Sequence, residues 1–343
     1  MAQGLGSSAA CPYAPDANMI ETELIPTAAS NMYPAMPPAS LSLIETLGFP
    51  DYALLDSGHG RKLERFGTIV VDRPEPQALW EIKLQKAEWA QAHAIFSASG
   101  EDEEKGKWRV DKAVPESWPV RIPLGNSTQQ KSGPGAVTML CRMQGLWHLG
   151  LFPEQLPHWQ WMLERIAAVK GETPRVLNLF AYTGAASLLA AAAGADVTHL
   201  DASKKAIAWG RENQAASNLD AAKVRWILDD AAKFVAREAR RGKTYHVILV
   251  DPPKFGRGPE GEVWDLFTHL PGLMKGCAQL LAPQQASIVL TVYAIRASAL
   301  AFDQLCQDIL HGRKGVFESG ELAIRAAGGN AVPTSLFTRW VGA

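Results

Sequence analysis

Between residues 175 and 310 short apolar runs alternate with longer helical stretches, and this alternation restricts the possible folds more than any other feature of the chain. The runs "RVLNLF", "DVTHLD", "VRWIL", "YHVILVD" and "ASIVLTVY" are too short for helices and rich in β-branched residues, so they predict strands. "GAASLLAAAAGA", "SKKAIAWGRENQAASNL", "DDAAKFVAREARRG", "LFTHLPGLMKGCAQLLA" and "ASALAFDQLCQDIL" predict the helices between and after them. Ser203 and Asp230 stand where two of these helices begin, and each can accept from the first free N–H groups. Pro271 is expected to kink or split its helix, because it lacks an N–H. "GELAIRAA" and "TSLFTRWV" predict a terminal antiparallel hairpin. Repeated strand–helix units of this length specify an α/β fold, a doubly wound and mostly parallel sheet.

Upstream the pattern differs. "DYALLDSG", "RKLERFGTIVVDRP", "VTMLCRMQG" and "WHLGLF" are short runs separated by turn residues, so residues 48–148 predict a smaller β-rich accessory domain. Within it "QALWEIKLQKAEWAQAHAIF" predicts a helix, "GEDEEKGK" a surface turn and "RIPLGNSTQQKSGPGA" a mobile loop. Residues 1–47, rich in Ala, Ser and Pro and without periodicity, predict a disordered extension. The doubly wound domain is then expected over residues 149–343. The formal net charge of −1 hides a division: residues 1–60 carry six acids and no Lys or Arg, and the remainder carries 34 basic against 29 acidic residues. That excess permits a polyanionic partner without requiring one.

The chemistry is expected where the strands end. Val247 to Val250 are apolar at every position, as in a strand buried on both faces. Pro252 and Pro253 cannot donate to a ladder, so the strand stops there and leaves Asp251 at the carboxyl edge of the sheet, where open α/β sheets bind ligands. The first strand leads into "NLFAYTGAAS", with the single glycine Gly184 at the turn into a helix. A dinucleotide fingerprint needs three glycines to bring a pyrophosphate to a helix N-terminus, so a cofactor without a diphosphate fits better. Asp201, followed by Ala202 and Ser203, ends the second strand and can accept from two ribose hydroxyls. Asp230 follows the third, with the small Ala231 beside it, and can accept from an adenine amine.

These residues carry a resemblance. "VLNLFAYTGAASLLAAAAGADVTHLDASKKAIAWGRENQAASNL", then "LDDAAKF", then "VILVDPPKFGRG", resembles the class I S-adenosylmethionine-dependent methyltransferases, which have a Rossmann-like sheet. Within that class it is most similar to the large-subunit ribosomal RNA methyltransferases that make 5-methylcytosine or 7-methylguanine, over residues 145–343. The resemblance implies S-adenosylmethionine as donor and RNA, ribosomal RNA above all, as acceptor. It implies that Phe180, Tyr182, Thr183 and Gly184 surround the methionine part of the donor, that Asp201 holds the ribose and that Asp230 holds the adenine amine. It further implies that Asp251, Pro252 and Pro253 floor the acceptor site, with Lys254 on phosphate or base, and that "GLFPEQ" (150–155) lies over the donor. Phe255 is a candidate base-stacking residue or a core residue, and Arg257 a surface charge.

The chain departs from the cytosine branch at one place. Adding a methyl group to C-5 of cytosine needs a thiolate, and in those relatives a cysteine follows the fifth strand. Here "LTVYAIRAS" stands there, with Tyr293 and Arg296 as candidate pocket residues and no cysteine. Cys277 and Cys306 fall in helical stretches and Cys141 in the accessory domain, so packing is expected for all three. Transfer to a ring nitrogen, an exocyclic amine or a hydroxyl fits better. The four cysteines, Cys11 included, form no C-x-x-C pair and the histidines have no ligand spacing, so no metal site is expected. No apolar run reaches the roughly 18 residues of a membrane span and no signal peptide is recognisable, so a reducing cytoplasmic setting is expected. A small-molecule or protein acceptor, and a silent donor-binding module, stay open as alternatives to an RNA methyltransferase.

Overall fold

Whether those strand ends meet depends on the order in which the strands pair. The computed structural model describes residues 40–343 apart from 100–101, 126–134 and 294–295. Residues 1–39, most of the predicted extension, thus lie outside the described residues, as do Cys11 and most of the predicted mobile loop. The remainder of that extension forms β1 (Leu41–Thr46), a strand that pairs in parallel at the edge of the main sheet.

The accessory strands follow. β2 (Tyr52–Gly58), β3 (Arg61–Phe66) and β4 (Ile69–Pro74) make an antiparallel meander. The segment predicted as a long helix holds one turn, α1 (Lys86–Trp89), and then β5 (Ala94–Ser99), which pairs in parallel with β4. The reason is tertiary. The buried carboxylate of Asp56 accepts from the backbone N–H groups of Lys83 and Leu84 and from Trp89 Nε1, which draws the chain around one side chain rather than into an i→i−4 ladder. Most of the acidic run predicted as a turn belongs to β6 (Asp102–Val110), the edge strand of this five-stranded sheet. β7 (Trp118–Pro123) and β8 (Ala136–Cys141) form a separate antiparallel ribbon.

After α2 (Leu156–Ala168) the strand–helix units proceed as the alternation predicts: β9 (Arg175–Leu179), α3 (Ala185–Ala192), β10 (Asp196–Asp201), α4 (Lys204–Ala216), β11 (Val224–Leu228), α5 (Ala231–Arg240) and β12 (Val247–Val250). A short hairpin, β13 (Phe255–Arg257) with β14 (Val263–Asp265), precedes α6 (Leu266–Leu280). Pro271 does not split α6, because it lies in the second turn, where the carbonyl it leaves unpaired belongs to the exposed Phe267. β15 (Ser287–Tyr293), α7 (Ala299–Ile309) and the terminal hairpin β16 (Gly315–Arg325) and β17 (Ala331–Gly342) complete the chain.

The eight-stranded sheet has the order β1-β16-β17-β15-β12-β9-β10-β11. β9, β10, β11, β12 and β15 are parallel, and β17 runs against β15. The chain leaves β9 toward β10 and β11 and then returns to the other side of β9 as β12, so the switch point lies between β9 and β12. The loops after β9, β10, β11 and β12 therefore share one edge of the sheet. Leu54, Phe66 and Met139 of the accessory strands bury into the same apolar cluster as Val176 and Leu188 of the doubly wound part. β8 is also bound by side chains of α4: Asn213 Oδ1 accepts from Leu140 N at 2.9 Å, Ser217 Oγ from Thr138 N at 2.9 Å, and Trp209 Nε1 donates to Leu140 O at 2.8 Å. Those bonds satisfy an edge that would otherwise lie open.

Candidate active site

The loop after β9 is held in a backbone shape that most residues avoid. Phe180 and Tyr182 have φ of 56° and 49°, and Gly184 has φ of 91°. A side chain on Gly184 would also press on Trp226 and His199, at 3.3 and 3.5 Å from its first carbon. His199 is fixed from below by Ser187, which in turn accepts from Asn178. The strain at Phe180 and Tyr182 persists because other elements hold the loop. Asp201 Oδ2 accepts from Tyr182 N at 2.8 Å, and Asp201 Oδ1 accepts from Ser203 N at 2.7 Å. One carboxylate thus fixes both the β9 loop and its own turn, and each oxygen keeps a further lone pair. Burial raises the Asp201 pKa, and these two N–H groups partly offset that.

Asp230 does both things considered for it. Its Oδ1 caps α5 by accepting from Lys233 N at 2.9 Å, and its side chain still lines the cavity next to the buried Ala231. Asp229, one residue earlier, faces the same cavity and pairs with Arg237.

All of the predicted donor-site residues line one cavity of about 980 Å³: Phe180, Tyr182, Thr183, Gly184, Asp201, Ala202, Ser203, Asp230, Ala231 and Asp251. Pro252 and Lys254 line it too. Thr183 is tied away from the centre, since its hydroxyl donates to Gly150 O at 2.6 Å and its carbonyl accepts from Asn213. Tyr293 lines the cavity stacked on Trp147, with ring centroids 6.1 Å apart, whereas Arg296 is exposed and does not line it. Phe255 is 64% exposed, so the reading of it as core does not hold; Lys254 Nζ lies 5.2 Å from its ring centre. Arg257 lines the mouth and is exposed.

No cysteine among the described residues lines the cavity. Cys141, Cys277 and Cys306 are buried and unpaired, and burial pushes the thiols of Cys277 and Cys306 up to about 12. A thiol with that pKa is not a nucleophile at neutral pH. Among the described residues no group of His, Cys, Asp or Glu could hold a metal ion.

The run predicted as the strand "WHLGLF" is instead an irregular segment over the cavity, with Gly150 at φ +94°. A first side-chain carbon on Gly150 would stand 2.3 Å from the Trp209 ring. Gly150→Ala is expected to cost about 2–4 kcal/mol from the left-handed backbone and the overlap together, read from the midpoint of urea unfolding. The segment ends in Glu154 and Gln155, which sequence reasoning did not single out. Gln155 Nε2 donates to Asp251 Oδ2 at 3.2 Å, and Glu154 is 7% exposed and lines the cavity beside it. Their only signal in the sequence was membership of "GLFPEQ", the run expected over the donor.

The chain is similar to known methyltransferases. The family model for the S-adenosylmethionine-dependent methyltransferases matches residues 137–300. The crystal structure of a SAM-dependent methyltransferase from Agrobacterium tumefaciens aligns with a TM-score of 0.81 and 46% identity, over 88% of this chain and 93% of its own. A solved structure named for a SAM-dependent methyltransferase from Streptococcus mutans aligns at 0.61 with 16% identity, over 85% of this chain and 75% of its own, and speaks for the fold alone. A curated relative from Shewanella frigidimarina, "Ribosomal RNA large subunit methyltransferase K/L", is 36% identical over 121 residues. That stretch is 35% of this chain and 17% of the relative's length.

Proposed function

The chain belongs to the S-adenosylmethionine-dependent methyltransferases, and we propose that it methylates an RNA base, with ribosomal RNA as the substrate. When bound, the donor supplies a methyl carbon made electrophilic by the sulfonium that carries it. The residues of this chain have to hold that carbon in line with the acceptor and keep water away, since positioning supplies most of the rate. The cavity is large enough for a nucleoside donor and a flipped base. Asp201 accepts from the ribose hydroxyls with the lone pairs that its two backbone donors leave free. Asp230 accepts from the adenine amine with Oδ2. Asp251 and the Pro252 carbonyl accept from the acceptor's N–H groups. The Pro253 carbonyl is already taken by Trp264 Nε1 at 2.7 Å, which stiffens the turn.

The observation that carries the RNA reading is the mouth of the cavity, where exposed Phe255 stands between Lys254 and Arg257. An exposed aromatic ring with a lysine over one face and an arginine nearby suits a stacked base and its phosphates better than a neutral small molecule. The similarity to a ribosomal RNA methyltransferase of Shewanella frigidimarina supports it. The buried thiols support a cytoplasmic setting, and among the described residues no helix is long and apolar enough to cross a membrane.

Labelled donor and large-subunit ribosomal RNA from cells lacking this gene test the proposal. RNA labelling is expected, and Phe255→Ala is expected to raise KM for RNA about tenfold, from the loss of one stacked base. Label appearing in proteins or small molecules with none in RNA would overturn it.

A further inference from the structure

We propose that Glu154 and Asp251 together form the proton-accepting site for a methyl acceptor that carries an N–H. The proposal rests on the methyl-transfer reading above and names the acceptor's chemical class.

Glu154 lies in the 3-10 turn Pro153–Gln155, just before α2, and no hydrogen bond or ion pair joins its carboxylate to another residue among the described residues. A carboxylate this buried normally has a partner. The two cations that pull its pKa down, Lys62 and Arg73, are bonded to other acids. Lys62 Nζ bonds Glu75 at 3.1 Å, and Arg73 Nε bonds Glu64 at 2.8 Å. The titratable and charged groups that act on Glu154 or line the cavity wall near it are Tyr52, Lys62, Glu64, Arg73 and Lys105 from the accessory strands, His148 from the irregular segment before it, His158 one turn further along α2, and Asp251, which the neighbouring Gln155 bonds. His158 has neither ring nitrogen bonded, and burial drives its pKa down to about 3, so it stays neutral and does not compete for a proton. Asp251 keeps Oδ1 without a protein donor among the described residues, while Gln155 holds Oδ2. Two carboxyl groups therefore face one cavity, each with an oxygen left for a ligand.

Their electrostatics fit this role. Burial pushes Asp251 up to about 7, and the charge of Glu154 adds to the rise. Burial likewise pushes Glu154 up to about 7, against the opposing pull of Lys62, its own backbone N–H and Arg73. The charge of Glu154 makes a proton on Asp251 more favourable, so the two acids are coupled in the direction a proton-accepting site needs. In the transfer step the acceptor nitrogen's lone pair forms the bond to the methyl carbon. The carbon–sulfur bond breaks with its electron pair going to sulfur, and the nitrogen's proton passes to the ionised member of the pair. A site that accepts from N–H through a carboxylate and the Pro252 carbonyl, with no thiolate in reach, suits an amine or ring nitrogen rather than a carbon.

Glu154→Gln and Asp251→Asn test this. Glu154→Gln is expected to lower kcat for RNA methylation about tenfold, since Asp251 remains, and Asp251→Asn about a hundredfold. KM for the donor should change less than threefold. In the wild type the rate should rise with pH and level off above the pair's midpoint near 7, and Glu154→Gln should lower that midpoint. The pair also has a readout that needs no acceptor. Calorimetry in buffers of different ionisation enthalpy should show proton release when S-adenosylmethionine binds at pH 7, and none for neutral S-adenosylhomocysteine. Glu154→Gln should abolish that difference. Equal proton release for both ligands, a wild-type rate and midpoint in Glu154→Gln, or a methyl group mapped to carbon or oxygen would each overturn the proposal. If RNA takes no label while the proton release persists, the RNA reading fails and the carboxyl pair stands.

Discussion

Replacing Asp201 by alanine is expected to weaken S-adenosylmethionine binding about a hundredfold, a loss of roughly 3 kcal/mol from hydrogen bonds to a charged acceptor. The effect has two sources. The ribose loses both its acceptors, and the strained β9 loop loses the carboxylate that takes Tyr182 N and Ser203 N. Asp201→Asn keeps one acceptor in place and should cost about tenfold, the share due to charge. Burial raises the Asp201 pKa, and the ionised form is the one that accepts from both sides. Donor affinity should therefore fall as pH drops through that raised value. Calorimetric titration of each variant against pH reads all three effects. Alanine binding the donor like the wild type would remove Asp201 from the site.

The second large effect is on stability. Arg73→Met is expected to lower the unfolding free energy by about 3–5 kcal/mol, because it leaves Glu64 ionised and buried without its cation. Glu64 is 1% and Arg73 3% exposed. Glu64 accepts from Tyr52 Oη and Arg73 Nε, both at 2.8 Å, and Arg73 also donates to Trp147 O at 3.2 Å. The double variant Arg73→Met, Glu64→Leu should recover most of the loss, since the desolvation cost goes with the charge. Burial opposes the Glu64 charge, but Arg73, Lys62 and the Tyr52 hydroxyl outweigh it, and the folded pKa is lowered. That contribution is therefore present above the ordinary glutamate pKa of 4.5 and lost as pH falls through the lower folded value. Urea unfolding of both variants at pH 7 and pH 4 checks the sign. The same charges reach the active site, for Arg73 lies 4.7 Å from the centre of the Trp147 ring that stacks on Tyr293.

The readable parts of the chain were those with local causes. Val247–Val250 advertises a buried strand because every position is apolar, and Asp230 advertises a helix start because its own side chain makes the cap. The acids at the strand tips follow from that alternation, so most of the cavity wall was legible. The errors share one cause, which is a partner distant in sequence. Lys83 to Trp89 carry a helical pattern, but Asp56 takes their N–H groups. β1 shows no periodicity that a local reading could trust, since Leu41 and Leu43 stay exposed and pairing with β16 is what orders it. "WHLGLF" is apolar like a strand, yet Gly150 turns against Trp209 and Thr183 instead. Glu154 looks like any glutamate, and only its place in the cavity wall with Asp251 and its burial near Lys62 and Arg73 give it meaning.

The central claim is that acids at neighbouring strand tips hold the two ends of one nucleoside, whose sulfur then points to the turn after β12. A crystal structure with bound S-adenosylhomocysteine measures this directly. The ribose hydroxyls are expected within hydrogen-bond distance of both Asp201 oxygens, the adenine amine on Asp230, and the sulfur facing Asp251. A nucleoside bound elsewhere, or one in this cavity with its ribose turned away from Asp201, would contradict it.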